Sequence, residues 1–463
     1  MAKKAKTTLL LAKITVNICR FVLAATFIFS GFIKANDPMG MAYKLGDYLN
    51  AFGITNLPES FTIAASIVLA FVEFMMGIFL LLGISRKPMS RLVTTFMLLM
   101  TLLTVYIFIF DPVADCGCFG DAIILTNGET LLKNIVLLAA SLTVLRWYRH
   151  QIRLVRENMD SVMTMFATLY ILSYSIYCII ELPVFDFRPY YIGADIRNGR
   201  ETTEDMRPQY EVKLVYEREG KTMEIDIDDE EPDSSWEYVE TKRILLKDGS
   251  SHSMADFYIM DANEEDITEE VLAEEGYSFL LIAPFLQNAD EGCIDLINEA
   301  YDYARNNGYG FYCITASDTA AQEYWTDHTG AEYPYYRGDE RTLKTVVRAN
   351  PGLVLIKDGK VVRKWGNYNM PDEYELNGSL EDIPAGQTET VEARRKVINI
   401  LLWFFIPLAL FIIFDRIAMG WSFYRMMKRK SKELKLESIE EKLYINEIEK
   451  NINNKFNIKT KEK

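Results

Sequence analysis

Asp115-Cys116-Gly117-Cys118-Phe119-Gly120-Asp121 places two cysteines one residue apart in a short loop between two apolar runs, near 91–110 and 129–147. Each run approaches the roughly 20 residues a helix needs to cross the hydrocarbon core of a bilayer. The loop therefore reads as a turn at a membrane surface. Further runs near 13–34, 61–84, 162–183 and 398–418 bring the expected spans to six. The first run is read as a retained anchor. It exceeds a signal-peptide core and carries Arg20 and Lys34 without a small-residue cleavage site.

The net charge of −15 over 463 residues hides two materials. Residues 183–396 carry 46 Asp and Glu against 22 Lys and Arg, whereas the remainder carries 19 against 28. A membrane body with basic flanks thus surrounds an acidic water-soluble domain. That surface argues against nucleic acid as a partner, because phosphate binding needs a concentrated basic face. Basic loops stay in the cytoplasm. With six spans, the N-terminal Lys3, Lys4 and Lys6, the turn at Arg86 and Lys87, the loop from Arg146 to Arg156 and the tail from Arg425 to Lys435 all fall on that side. Both termini are expected to be cytoplasmic and residues 184–397 extracytoplasmic.

A redox cysteine needs a lowered pKa, water and a partner. Cys116 and Cys118 partner each other, and Gly117 and Gly120 permit a tight bend. Lys133, at the start of the next run, is the candidate source of positive charge, while Asp115 and Asp121 oppose thiolate formation but can carry protons. A bridge between residues two apart closes a small ring against the preferred disulfide geometry, so it should reduce readily. The same pair also fits a permanent structural staple or half of a metal site. No metal is expected, because a closed zinc site wants about four ligands and His150, His252 and His328 lie elsewhere. Ionisable residues at membrane depth are costly and suggest function. Antiparallel packing of their helices would bring Arg20 and Glu73 together; the competing reading is that Arg20 snorkels and Glu73 is a paired structural charge, with Lys34 at the end of the first span.

Helical patterning stops at Pro183. Strand alternation follows around Tyr210 and Met223, on either side of a turn at Glu219-Gly220. From about 267 the order is a strand over Tyr277–Phe285, a helix over Cys293–Asn306, a strand over Gly310–Thr315, a helix over Thr319–His328 and a hairpin across Asp358-Gly359. With Asn350-Pro351 just before that hairpin, residues 267–375 resemble a thioredoxin-like fold. The resemblance implies that Pro351 is the family's cis proline beside an active-site loop. That loop normally carries Cys-x-x-Cys, but here it holds only Cys293. A helix N-terminus can lower a thiol pKa, so Cys293 could attack a disulfide without being able to resolve itself. A non-redox binding domain is the competing reading.

Arg20 with Ser30-Gly-Phe-Ile-Lys-Ala-Asn-Asp-Pro38, Glu73 with Gly77, and the Cys116/Cys118 loop followed by Thr130-Leu-Leu-Lys-Asn134 resemble the DoxX/MauE group of four-helix membrane proteins. With Asp186-Phe-Arg-Pro-Tyr190 added, the layout is similar to DoxX-like proteins of Bacteroidetes-type bacteria that append an extracytoplasmic thioredoxin-like domain. This resemblance implies a bacterial inner membrane and a redox or maturation role. The expected organisation is a four-helix bundle over 1–150, a loop and fifth helix over 151–185, a β-rich lead-in over 186–266, the α/β thioredoxin-like domain over 267–390, a sixth helix over 391–420 and a charged tail over 421–463 with a short amphipathic helix around Leu434–Ile448.

The leading expectation is a thiol-redox protein whose Cys116/Cys118 pair exchanges electrons with an extracytoplasmic thiol protein and with a quinone as the candidate acceptor. A non-catalytic envelope scaffold displaying the degenerate domain is the alternative. A transporter built on Glu73 and Arg20 comes third.

Overall fold

The computed structural model describes residues 2–54, 57–110, 117–202, 209–218, 221–226, 236–247, 254–388 and 390–459, with backbone alone at 2–9, 51, 209–218, 221–226 and 237–247 and in part of 390–459. Six helices among these are long and apolar enough to cross a membrane. The chain is a multi-pass membrane protein with a mixed α/β domain between the fifth and sixth of them.

The bundle is built from α1 (Ala2–Asn36), α2 (Pro38–Ala51), α3 (Glu59–Leu82), α4 (Arg86–Phe110) and α5 (Asn127–Arg146). Small residues bring α1 and α3 into close contact: an added Cβ would lie 2.4 Å from Phe74 N at Gly31 and 2.6 Å from Ile28 N at Gly77. Close approach through glycine suits helices in lipid, where apolar side chains gain little by leaving the hydrocarbon. Around that crossing Leu23, Phe27, Met76, Leu80, Val93, Met97 and Leu137 form one buried core. The helix ends follow local chemistry. Asp37 caps α2 by accepting from Gly40 N at 2.8 Å, with Pro38 at the first helical position. Gly83, in the left-handed region at φ 76°, ends α3. A reciprocal capping box between Thr126 and Glu129 starts α5. The short helix α2, between the first two expected spans, has no counterpart in the sequence reading; it is too short to span and packs against α3.

The fifth span, α6 (Asp160–Ile180), ends just before Leu182 at φ 66° and Pro183. It packs on α3 and on the final helix through Phe74, Phe166, Tyr170 and Phe404, whose ring centroids lie 4.7 to 6.5 Å apart.

Beyond Pro183 come α7 (Ile196–Thr202), β1 (Gln209–Arg218), β2 (Lys221–Asp226), β3 (Glu237–Lys247), α8 (Thr268–Ala273), β4 (Tyr277–Ile282), α9 (Ile294–Asn307), β5 (Gly310–Thr315), α10 (Thr319–Thr329), β6 (Tyr335–Arg337), α11 (Glu340–Val346), β7 (Gly352–Lys357) and β8 (Lys360–Trp365). Strands β1 to β3 form an antiparallel sheet in the order β2-β1-β3. The other sheet runs β6-β5-β4-β7-β8, with β4, β5 and β6 parallel, β7 antiparallel to β4 and β8 antiparallel to β7. A parallel pair joined through a helix, followed by an antiparallel hairpin, is the thioredoxin-like order. All six residues of β4 are buried, as a central strand covered on both faces requires.

One face packs on α9 and α10 through Phe279, Leu281, Ile297, Ala300 and Trp325. The other packs on Ile196, Phe257, Leu343 and Val346. Residues of the expected lead-in therefore share the core of this sheet. They also cover its edge, with Gly193 N donating to Val361 O at 2.7 Å and Ile196 N to Gly359 O at 2.9 Å.

The last helix, α12 (Thr390–Lys459), runs unbroken for 70 residues through the sixth span. The short helix with frayed ends expected around 434–448 is instead part of this one rod. No proline or glycine after Gly420 interrupts the good helix formers there.

Candidate functional site

Gly31 and Gly77 bring the two helices close enough for Lys34 to meet Glu73. Lys34 Nζ lies 2.8 Å from Glu73 Oε2, with the two side chains 4% and 6% exposed. The ammonium has three protons, and each has a partner: Glu73 Oε2, Ser30 Oγ at 2.7 Å, and the backbone carbonyl of Cys118 at 2.7 Å. Ser30 Oγ in turn lies 2.6 Å from Glu73 Oε2 and 2.7 Å from Cys118 O, to either of which it can donate its single proton. A buried, charge-assisted cluster thus holds the backbone of the cysteine loop.

Gly117 and Gly120 adopt φ values of 63° and 52°, and a 3-10 turn follows over Gly120–Ala122. Glycine is the residue that takes this backbone at no steric cost. Phe119 seats the loop edge-on to Phe29, with centroids 5.4 Å apart, and lies under the Lys133 ammonium at 4.2 Å.

The α/β domain closes over this end of the bundle. Arg348, two residues beyond the C-terminal end of α11, has Nε 2.9 Å from Asp37 Oδ2 and Nη2 3.1 Å from Asp121 Oδ2. Its third contact is the carbonyl of Lys344 at 2.6 Å. Burial works against the guanidinium charge, but the carboxylates of Asp37 and Asp121 hold it protonated beyond the usual arginine range. Tyr43 of α2 lies beneath Lys344 and Arg348, at 5.0 and 5.7 Å.

Two further ties fix the linker. Asn36 accepts from Tyr174 Oη and Phe185 N and donates to Phe185 O. Asp186 takes Arg188 and Lys364 together. Burial opposes ionisation of Asp186, yet the two cations hold its carboxyl well below the usual range; burial lowers Lys364 to about 8 against the pull of Asp186. Between these parts lies a cavity of about 40 Å³, lined among others by Lys34, Asp37, Gly117, Asp121, Phe185 and Arg348.

Several expectations need correcting. Arg20 does not meet Glu73; it lies about midway along α1, fully buried, with its guanidinium on the carbonyl of Ile152 and over the Phe21 ring. Lys34 takes that partner because it sits fourteen residues further on, about 21 Å along the helix at 1.5 Å per residue. Lys133 sits over Phe119, while the cation holding the cysteine backbone is Lys34. Asp121 is engaged by Arg348.

Asp115 and Cys116 fall outside the described residues, and Cys118 is half-buried. Cys293 stands at the N-cap of α9, but only 2% exposed, in the core with Ile297 and Leu353. Its thiol is pushed up to about 11, by burial first and by Asp290 second, so the helix terminus does not activate it. The Asn350–Pro351 bond is cis, and Asn350 ties the two loops together by donating to Phe285 O and accepting from Asp290 N. No group of three or more metal-ligating side chains occurs among the described residues.

Arg348 is the site residue that sequence reasoning missed. The one signal was its position three residues before Pro351.

Residues 12–147 match the family model described as methylamine utilisation protein MauE. No curated protein matches the chain. Among solved structures it is similar to the solution structure of a "putative protein disulfide isomerase from Bacteroides thetaiotaomicron", at 19% identity over 25% of this chain and 76% of that one, with a TM-score of 0.21. The thioredoxin-like assignment stands on the strand order and the parallel and antiparallel pairings of the five-stranded sheet.

Proposed function

We propose that this chain is a DoxX/MauE-like thiol-disulfide protein of a bacterial inner membrane, with Cys116 and Cys118 as the reacting pair. The observation that carries the reading is the Ser30, Lys34 and Glu73 cluster, in which a buried ion pair holds the Cys118 carbonyl, beside a cavity lined by Lys34 and Gly117. Buried charge at membrane depth is costly when it serves packing alone. In the forward step a thiolate of an extracytoplasmic client dithiol attacks the Cys116–Cys118 bridge, and its second thiol resolves the mixed disulfide. The client leaves oxidised; the pair is left with two electrons and two protons. A two-electron acceptor must then reoxidise it, and a quinone, becoming quinol, has the right chemistry at this depth.

The match over 12–147 supports a membrane redox or maturation role for the bundle. The orientation follows from the basic segments, which gather at the end away from the cysteine loop, so the loop and residues 184–397 face the extracytoplasmic side.

A second reading has its own support. The burial and raised pKa of Cys293 favour a thioredoxin-like domain that binds without redox chemistry, as in a scaffold or maturation factor. Thiol trapping of Cys116 and Cys118 in intact membranes, with the other four cysteines replaced, separates the two. Reduction by a mild thiol and reoxidation by added quinone supports the redox protein. A pair that stays oxidised throughout supports the scaffold.

A further inference from the structure

Asp37, before α2, and Asp121, in the cysteine loop, share the cation of Arg348, which comes from the other domain. Arg348 reaches 311 residues back to Asp37 and 227 back to Asp121. Its side chain is 9% exposed, against 19% and 22% for the two acids, so the contact is largely shielded from water. Asp121 follows Cys118 by three residues, across the turn closed by Gly120 N and Gly117 O at 3.2 Å. The loop is thus held from beneath by Lys34 and from above by Arg348.

We propose that Arg348 is a positioning residue for the Cys116/Cys118 reaction, neutralising Asp121 so that the thioredoxin-like domain sets the thiolate fraction of Cys118. The charged groups gathered around the loop are Lys34 from α1, Glu73 from α3, Asp37 and Lys44 around and in α2, Lys133 from α5 through Phe119, and Arg188 from the linker along the cavity; Asp115 adjoins it in sequence. Lys34 is already matched by Glu73. Removal of Arg348 takes away the cation in contact with Asp37 and Asp121 and makes the surroundings of the loop more negative, and a nearby negative charge disfavours a thiolate. This account gives the degenerate domain a task that needs no thiol of its own: it contributes charge and position to a thiol in the membrane body.

The inference rests on the reading of Cys118 as a reactive thiol, and the test separates the two. In reduced full-length protein in detergent, with the other five cysteines replaced by serine, the rate of Cys118 alkylation by iodoacetamide is followed from pH 6 to pH 10. In Arg348→Gln the midpoint of that profile is expected to rise by about 0.5 to 1 pH unit. Arg348→Lys is expected to restore most of the shift, and Asp121→Asn added to Arg348→Gln is expected to cancel it. If the domain merely covers the loop, Arg348→Gln speeds alkylation at every pH with an unmoved midpoint, and the inference is overturned. An unmoved profile overturns it as well. A parent Cys118 that fails to alkylate across the range removes the reactive thiol, and with it both this inference and the redox reading.

Discussion

Two cysteines of this chain, one in the turn after Gly117 and one at the N-cap of α9, have opposite surroundings. Cys118 is half-buried in a turn whose carbonyl is held by Lys34 and Ser30, beside a cavity. Cys293 occupies the helix N-terminus where thioredoxin-like proteins keep reactive thiols, yet it lies 2% exposed among Leu353, Ile297 and Ala300. The contrast teaches that a helix dipole activates a thiol only where water or a fixed cation can share the charge. Inside an apolar core desolvation outweighs it, as the rise to about 11 records.

The largest expected effect comes from Lys34→Met. It leaves Glu73 buried without its cation and releases the Cys118 carbonyl, at a cost of about 3 to 5 kcal/mol. Thermal unfolding in detergent should show a clear fall in Tm together with altered Cys118 alkylation, while Glu73→Leu in the same background recovers much of the loss. An unchanged Tm would break the claim that this cluster holds the loop.

Next in size is the direct contrast of the thiols. At pH 8 a pKa of about 11 leaves roughly a thousandth of Cys293 as thiolate, and burial slows access further. In reduced native protein Cys293 is expected to alkylate at least about 100-fold more slowly than Cys118, and the two rates should converge in denaturant. Equal native rates would dissolve the comparison.

The Asp186 cluster tests whether the two sides are separately stabilised. Its folded carboxyl lies below the unfolded reference of 3.8, so its contribution is present above about pH 4 and is lost as the pH falls toward the folded value. Urea unfolding followed by near-ultraviolet circular dichroism should show the α/β domain losing stability as the pH falls below about 4. Asp186→Asn is expected to be destabilised by about 2 kcal/mol at pH 7, with a flatter profile. A parallel acid slope in both proteins would contradict this assignment.

Smallest is Thr126→Ala, which removes the cap of α5 just beyond the cysteine loop and should cost about 1 kcal/mol. Its effect is expected at Cys118 alone. A change in Cys293 accessibility would show that the two neighbourhoods are coupled more tightly than the contacts imply.

The six apolar runs, the acidic domain between the last two and the strand, helix, strand, helix, hairpin order were legible in the sequence. Hydropathy and periodicity are local properties, and twenty apolar residues leave a chain few alternatives. The short helix α2 and the unbroken run of α12 escaped, since neither carries a span-length apolar signal of its own beyond the membrane. What only the tertiary structure decided is which groups meet. Lys34 rather than Arg20 reaches Glu73 because Gly31 and Gly77 set where α1 crosses α3. Arg348 finds Asp37 and Asp121 because the thioredoxin-like domain folds back over the bundle, tied there through Asn36 and Asp186. Local pattern fixes the elements; ion pairs and burial depend on distances between residues far apart in the chain, and no local pattern encodes those.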